Sequence, residues 1–272
     1  MAVLTAMRCE RRATCEVYAH GADLYDRAWS PVILPPAASV VNTLDLARAE
    51  YVLDVGAGTG ALTGVIAAAA PDATIVSIDP APEMLAFAVE QRGVTAAQAD
   101  AMALPIQAGF VDVALIAYVL FMLPDPHAGL LEARRVLRPR GQVGTVTWAN
   151  ESPAVAAKVW DTTLDDLGVP AMPAHSNHGG LETTEAMAAR LVDAGLRPLH
   201  VWYEHVEHNF APEMFWRLRT EHGTNFVRLA ALDDRKRQHV LDALAQRLAP
   251  LDTTDYTFQG TLVCAVAEKA AA

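Results

Sequence analysis

The chain has 272 residues, 52% hydrophobic and 19% charged, which is enough apolar material for one large globular domain or a domain with a cap. Its formal net charge of −11 disfavours a nucleic-acid-binding protein, which should show a basic patch. Three scattered cysteines predict no disulfide framework and favour a reducing compartment, and no apolar run reaches the ~18 residues of a membrane span.

Apolar, strand-like runs alternate with helical patterns in the first half of the chain. Strands are predicted at 52–55, 74–78, 94–98, 111–118 and 142–148. Helices are predicted at 61–70, 82–91 and 130–137, the last closed by Pro139 and Gly141. This succession of strand and helix predicts a parallel sheet with helices on both faces.

The second half is organised differently, with more proline and longer polar helical patterns. Helices are predicted near 154–167, at 184–194 and across 211–249, and strands at 199–206 and 257–267. We therefore expect an α/β fold with a doubly wound, mostly parallel sheet and a partial helical cap. The predicted divisions are an N-terminal extension and lid (1–48), a ligand-binding core (49–148), and a final part (149–272) that completes the sheet and carries cap insertions at 149–182 and 209–255.

Glycines at alternate positions, Gly56, Gly58 and Gly60, follow the first predicted strand and precede a helix. Glycine lets a ligand approach the backbone closely, and the free N–H groups at the start of a helix attract polar ligands. The loop by itself is ambiguous. It also matches the dinucleotide pattern G-x-G-x-x-G/A, with Asp79 about 20 residues further on, and it could be a purely structural tight turn.

Carboxylates accompany the first three predicted strands and narrow the choice of ligand. Asp54 lies on the first strand, where it would repel a pyrophosphate but suits an ammonium group. Asp79 ends the second strand, where a carboxylate can accept both hydroxyls of a ribose. Asp100 follows the third, where an acid can hold an adenine amino group. Together they predict one ligand with an amine, a ribose and an adenine.

Four stretches of the chain carry a family resemblance: VLDVGAGTG, IDPAPEML, DAMALPIQAGFVDVALIAYVLFMLPD and VLRPRGQVGTVTW. As a set they resemble the class I S-adenosylmethionine (SAM)-dependent methyltransferases, in particular bacterial small-molecule enzymes similar to quinone-biosynthesis methyltransferases. The resemblance covers about 50–148. It implies a Rossmann-like methyltransferase fold, SAM bound in the core, and methyl transfer to an O, N or C atom of a small metabolite. The apolar cap favours a hydrophobic or aromatic acceptor.

The resemblance also implies roles for individual residues. The implied cofactor-binding residues are Tyr25, Asp54, Gly56, Ala57, Gly58, Asp79, Pro80, Asp100, Ala101, Ala117 and Tyr118. Within this set, Asp54 would contact the SAM amine, Asp79 the ribose and Asp100 the adenine. Tyr25 would close over SAM, and Tyr118 lies where the fourth strand offers carbonyl groups or lines the methyl-transfer site.

A base is needed if the acceptor must lose a proton, and histidine suits that task at neutral pH. The candidates are His175 and His178, in a Gly/Pro-flanked segment after the fifth strand, and His208 near the end of a later strand. Surface or structural roles stay open for all three, and no third ligand accompanies the His-x-x-His spacing, so no metal site is predicted. Relatives often carry histidines where this chain has Phe121 and Met122, which favours an apolar wall there.

Three alternatives stay open. A SAM-binding fold can catalyse cyclisation or elimination instead of methylation, or sense SAM without turnover. A dinucleotide oxidoreductase is the third, and Asp54 and Asp100 disfavour it. The expected partner is a small-molecule acceptor, with no nucleic acid and no membrane span, and a homodimer is one option for assembly. Residues 1–16 lack the apolar stretch of a secretory signal, so we expect a cytoplasmic protein.

Overall fold

The computed structural model describes residues 18, 20–172 and 180–271, and seven strands of this part form one sheet. The strands are β1 (Tyr51–Val55), β2 (Thr74–Asp79), β3 (Ala96–Gln98), β4 (Val111–Ala117), β5 (Leu137–Ser152), β6 (Leu196–Asn209) and β7 (Thr257–Lys269). Their order across the sheet is β3-β2-β1-β4-β5-β7-β6.

Helices lie between and beyond the strands. They are α1 (Ala22–Thr43), α2 (Ala61–Ala69), α3 (Pro82–Arg92), α4 (Pro126–Val136), α5 (Val155–Asp166), α6 (Thr184–Asp193), α7 (Pro212–Glu221), α8 (Gly223–Ala230) and α9 (Asp234–Leu248). Short 3-10 turns follow β4 at Leu120–Met122 and precede β7 at Thr253–Tyr256.

The first five strands run parallel, whereas β7 is antiparallel to both of its neighbours, β5 and β6. This arrangement confirms the predicted doubly wound, mostly parallel sheet. Because parallel strands end at the same edge, the segments that follow β1, β2, β3 and β4 gather there.

Two apolar cores cover the two faces of the sheet, and successive residues of one strand enter different cores. On β1, Val52 belongs to the core shared with α1, α2 and the cap helices α5 and α7 to α9. Its neighbour Leu53 belongs to the core shared with α4 and α6. Alternation of this kind is what a strand buried on both faces requires.

Helix α1 occupies part of the predicted N-terminal extension and lid, for which no helix was predicted. It continues through Pro31, Pro35 and Pro36, three residues that cannot donate a backbone hydrogen bond and usually interrupt helices. The helix packs closely on the sheet, since a Cβ atom on Gly144 of β5 would lie only 2.7 Å from Val40 Cγ1. Tertiary packing therefore overrides the local signal of the prolines.

The predicted start of the fifth strand at residue 142 is wrong, although the predicted end of the preceding helix at residue 137 lies within one residue of the observed end. Helix α4 ends at Val136, and Pro139 and Gly141 lie inside β5. The pairing of β4 with β5 shifts between Val111 and Val113, which leaves the strand irregular where the proline lies. A proline is tolerated at such an irregularity because no ladder hydrogen bond from its nitrogen is needed there.

The cap helices pack around aromatic side chains. Trp160 of α5 meets Phe215 and Trp216 of α7 edge to face, with ring centroids 6.1 and 5.5 Å away. The guanidinium of Arg219 lies 4.5 Å from the centre of the Phe215 ring, a cation–π contact. Among the described helices, none combines the length and apolarity needed to cross a membrane.

Candidate active site

A cavity of about 360 Å³ opens where the strands β1, β2 and β4 end, beneath α1. Its walls include every residue predicted to bind the cofactor: Tyr25, Asp54, Gly56, Ala57, Gly58, Asp79, Pro80, Asp100, Ala101, Ala117 and Tyr118. The structure thus brings together residues that are more than 90 positions apart in the chain.

The glycine loop, residues 56–60, forms one wall. Gly56, Gly58 and Gly60 all have positive φ angles, of 71°, 54° and 75°. A Cβ atom on Gly56 would lie 2.1 Å from Val119 Cγ2, so that position excludes any larger residue. A Cβ atom on Gly58 would meet no atom within 4 Å. The backbone at Gly58 therefore faces open space in which a ligand can approach it.

Asp54 lies beneath the loop and is almost fully buried. Its Oδ2 accepts a hydrogen bond of 2.8 Å from the hydroxyl of Thr63, which in turn lies 3.0 Å from the hydroxyl of Ser77. Burial raises the pKa of Asp54 to about 6. The hydrogen bond from Thr63 lowers this pKa, and the charge of Asp79 raises it further. A cation at this carboxylate would relieve the unfavourable burial of its negative charge.

Asp79, the last residue of β2, supports the loop from below. Its Oδ2 accepts the N–H of Gly58 at 2.9 Å and its Oδ1 accepts the N–H of Ala81 at 2.8 Å. Burial raises the pKa of this carboxyl, although these two hydrogen bonds lower it. Each carboxylate oxygen has a second lone pair, so the group can still accept the two hydroxyls of a ribose.

Asp100 and Ala101 follow β3 and close the cavity on the third side. The Oδ1 of Asp100 accepts the N–H of Met102 at 2.9 Å, and its carbonyl accepts the N–H of Ala103, also at 2.9 Å. These bonds fold the segment into a tight turn. Pro80 reaches the same wall, and its carbonyl accepts a hydrogen bond from the Gln98 side chain.

Two tyrosines form a further wall. Tyr18 and Tyr25 both line the cavity and meet edge to face at 5.7 Å between ring centroids. His222, between α7 and α8, packs on both rings, and its Nδ1 donates a 2.5 Å hydrogen bond to the carbonyl of His20. Burial and the charge of Asp79 raise the pKa of Tyr18 to about 12, and the same influences with Tyr18 and Asp26 raise that of Tyr25. Both phenols therefore stay protonated.

The rest of the cavity is apolar. This half is lined by Ile33, Leu34 and Ala37 of α1 and by Met122, Leu123 and Pro124 after β4. Tyr118 lies between the polar and apolar halves with a positive φ of 61°, which is unusual for a residue other than glycine. Its hydroxyl donates a 3.1 Å hydrogen bond to the carbonyl of Ile33, and burial raises its pKa.

The charges on the cavity wall have one sign. Asp54, Asp79 and Asp100 line it, whereas no arginine, lysine or histidine does so among the described residues. A wall of this composition attracts a cation and repels a phosphate group.

Of the three histidines predicted as bases, His208 is the one that the structure describes. His208 lies in β6 outside the cavity lining, with its ring 4.6 Å from that of Phe210, and burial lowers its pKa. His175 and His178 lie outside the described residues. Within the described ranges, no three histidine, cysteine, aspartate or glutamate side chains form a group that could hold a metal.

Sequence analysis missed several residues of the cavity wall. Tyr18, Ile33 and Leu34 belong to a segment whose structure was not predicted, and Val119 closes against Gly56. The apolar residues of α1 at 24, 28, 32, 37, 40 and 41 do recur at helical spacing. That periodicity could have revealed the helix despite its prolines.

Comparison of the sequence with known proteins finds methyltransferases. The family model described as "Methyltransferase domain" matches residues 53–144. An uncharacterised methyltransferase of Mycobacterium tuberculosis is 31% identical over 173 residues, which cover 60% of this chain and 68% of the relative. A ubiquinone/menaquinone biosynthesis C-methyltransferase of Syntrophotalea carbinolica is 34% identical over 123 residues, or 43% of this chain and 49% of that protein.

Solved structures share the fold at lower identity. One is a Bacillus halodurans protein that its title assigns to the methyltransferases. It has a TM-score of 0.56 and 20% identity, and the match covers 86% of this chain and 98% of that protein. The [4+2]-cyclase SpnF has a TM-score of 0.52 and 21% identity, covering 87% of this chain and 81% of its own. At such identities the likeness shows the fold alone.

Proposed function

The chain belongs to the class I SAM-dependent methyltransferases, and on that premise we propose that it methylates an O, N or C atom of a small hydrophobic or aromatic metabolite. One observation carries the proposal: a single cavity has a polar half built by the strand ends and an apolar half built by α1 and the segment after β4. A donor and an acceptor can therefore lie side by side.

The polar half suits SAM. In this proposal Asp54 binds the ammonium group, Asp79 binds the ribose, and Asp100 with Ala101 binds the adenine edge; all four residues line the cavity. The open space at Gly58 admits a ligand to the loop backbone, which is the reason for a glycine there. When bound, SAM supplies a methyl group attached to a positively charged sulfur, and a wall whose charged side chains from the described residues are all acidic stabilises that charge.

The same wall disfavours a dinucleotide. The pyrophosphate of NAD would lie at the glycine loop, beside Asp54 and Asp79, with no cationic side chain from the described residues on the cavity wall. Carboxylate and pyrophosphate groups are both negative, and like charges repel each other strongly in a buried site, where the dielectric constant is lower than in water. The loop pattern shared with dinucleotide-binding proteins does not outweigh this repulsion.

The apolar half supports an uncharged, hydrophobic acceptor. Leu34, Met122 and Leu123 can exclude water around the reacting atoms, and an oriented, dry site favours transfer in line from sulfur to the nucleophile. A secondary metabolite or quinone-like compound has this character.

Proton removal is not assigned to a residue of this cavity. Tyr18, Tyr25 and Tyr118 all have raised pKa values, so at neutral pH they act as hydrogen-bond donors and not as bases. Roles for His175, His178 and His208 stay predictions. We propose that positioning and desolvation supply most of the acceleration.

The non-methylating alternatives receive no specific support. The likeness to a cyclase concerns the fold alone, and its TM-score of 0.52 is below the 0.56 of the Bacillus halodurans protein. Product mass separates the possibilities, because methylation adds one methyl group to the acceptor whereas cyclisation or elimination does not. A SAM sensor would release no S-adenosylhomocysteine with any acceptor.

The first test is isothermal titration calorimetry with SAM, S-adenosylhomocysteine and NAD, on wild type and Asp79→Ala. We expect micromolar binding of the first two ligands, loss of binding in the variant, and no binding of NAD. A folded wild-type protein that binds NAD but not SAM would overturn the proposal. If SAM binds as expected, a screen of aromatic and quinone-like acceptors follows.

A further inference from the structure

Asp26 makes an unusually dense set of contacts for a residue near the start of α1. Its Oδ1 accepts hydrogen bonds from the hydroxyl of Thr59 at 2.7 Å and of Ser30 at 3.0 Å. The Arg92 guanidinium donates to both carboxylate oxygens, at 2.9 and 2.8 Å. Burial alone would raise the pKa of Asp26, but the hydrogen bonds from Arg92, Thr59 and Ser30 lower it below its usual value.

These contacts join three separate segments. Asp26 lies on α1, Thr59 in the glycine loop, and Arg92 at the end of α3. The guanidinium also donates to the carbonyl of Thr59 at 2.9 Å, so the three residues form a closed triangle. With 16% of the Asp26 side chain and 28% of the Arg92 side chain exposed, water screens this ion pair less than one at the surface.

The neighbour of Asp26 in the chain faces the cavity. Tyr25 lines it together with Tyr18 and with Asp79, the residue predicted to bind the ribose. Adjacent residues of α1 thus have different tasks. Tyr25 faces the ligand, and Asp26 attaches the helix to the loop that the ligand must contact.

We propose that Asp26 is a positioning residue that, through Thr59 and Arg92, holds α1 and its Tyr25 against the polar half of the cavity. The role in SAM affinity rests on the proposed function. If the site binds SAM only while α1 is docked, the apparent affinity for SAM equals the intrinsic affinity multiplied by the docked fraction. Breaking the triangle lowers that fraction without removing any group that touches the cofactor.

The test compares Asp26→Ala, Asp26→Asn, Arg92→Ala and the double variant Asp26→Ala/Arg92→Ala with wild type. Arg27→Ala is the matched control, because Arg27 pairs with Asp23 on the exposed side of the same helix. We expect about tenfold or greater loss of SAM affinity in each triangle variant, and no change in the control. The double variant should lose no more than the worse single variant, since the two residues act as a unit.

Amide hydrogen exchange provides a readout that does not depend on SAM. In Asp26→Ala without ligand, α1 should exchange faster while β1 and β4 keep their protection. Unchanged exchange of α1, or additive losses in the double variant, would overturn the proposal. If Asp26→Ala does not fold, Asp26→Asn, which keeps the side-chain shape, decides the same question. Failure of wild type to bind SAM would refute the proposed function, and the exchange of α1 would still decide the role of Asp26.

Discussion

Asp79 and Gly58 are joined by a 2.9 Å hydrogen bond from the glycine N–H to the carboxylate. The acid proposed to bind the ribose therefore also fixes the glycine loop, whose backbone SAM is proposed to approach at Gly58. Cofactor binding and loop conformation are coupled at one side chain, and substitutions there should affect both.

Asp79→Asn should weaken SAM binding and also destabilise the fold. Asparagine has one acceptor oxygen, so it cannot accept both the Gly58 and the Ala81 N–H groups that the carboxylate now satisfies. An unsatisfied buried N–H costs about 1–3 kcal/mol of the free energy of unfolding. We expect SAM affinity to fall by about a hundredfold, as two charge-assisted bonds to the ribose are weakened.

Calorimetry and urea unfolding would measure these two effects. Asp72→Asn, an exposed aspartate in the turn before β2, is the matched control and should change neither. A variant with normal stability and normal SAM affinity would show that Asp79 does not hold the ribose.

Gly56→Ala and Gly58→Ala should fail in different ways although they add the same methyl group to the same loop. At Gly56 the new Cβ would lie 2.1 Å from Val119 Cγ2, so the fold must distort and the melting temperature should drop. At Gly58 no atom lies within 4 Å, and only the positive φ is unfavourable, by about 1–2 kcal/mol. There the methyl group enters the ligand space.

We therefore expect Gly58→Ala to lose about tenfold or more in SAM affinity for a small change in melting temperature. Gly56→Ala should show the larger thermal effect. Differential scanning calorimetry and titration of both variants test the contrast, and it would be refuted if Gly58→Ala bound SAM as tightly as wild type.

Asp54 predicts a pH dependence with a defined sign. Its pKa of about 6 exceeds the ordinary 3.8, so the folded state holds this proton more tightly than the unfolded state. Its contribution to the free energy of unfolding is therefore greatest below pH 3.8 and decreases as pH rises to about 6, by roughly 3 kcal/mol at most. Asp54→Asn removes that loss, so the variant should gain stability relative to wild type across this window.

SAM affinity should change in the opposite direction, because only the ionised carboxylate attracts an ammonium group. Wild-type binding should tighten as pH rises through about 6, whereas Asp54→Asn should bind weakly with little dependence on pH. Unfolding and binding curves at pH 5, 6 and 7 would test both directions. A parallel pH profile in the two proteins would place the ammonium group elsewhere.

The polar half of the cavity could be predicted from sequence because each of its acids lies at or just after the carboxyl end of one of the first three strands. Asp54, Asp79 and Asp100 follow from the order of strands and from the rule that parallel strands end at one edge. The positions of the three acids relative to the strands are enough to predict that their side chains lie close together. No knowledge of side-chain packing was needed.

The wall formed by α1 could not be predicted in the same way. Helix α1 contains Pro31, Pro35 and Pro36, which locally disfavour a helix, so tertiary packing is needed to maintain it. Asp26 and Arg92 are 66 residues apart, and nothing local links them. Contacts between distant charges depend on how elements dock, which periodicity does not describe. The misplaced start of β5 has a similar origin, because the irregular pairing of β5 with β4 accommodates Pro139.

Met122→Ala should separate acceptor binding from SAM binding. Met122 lines the apolar half of the cavity, where shortening its side chain removes contact area from the acceptor but none from Asp54, Asp79 or the glycine loop. Losing two to three buried methylene equivalents corresponds to about 1.6–2.4 kcal/mol, which is about 15- to 50-fold in the KM for the acceptor. The Kd for SAM should stay within about twofold of wild type.

Met214→Ala is the matched control for this variant. Met214 is partly buried in the same apolar core, on α7, but does not line the cavity, so its loss should reduce stability and leave both constants unchanged. Steady-state kinetics with an acceptor from the screen, and calorimetry with SAM, give the two constants. Equal losses of acceptor and SAM binding in Met122→Ala would mean that the two ligands do not occupy separate halves of the cavity. A loss confined to the acceptor would make the residues around Met122 the first to vary when specificity is to be changed.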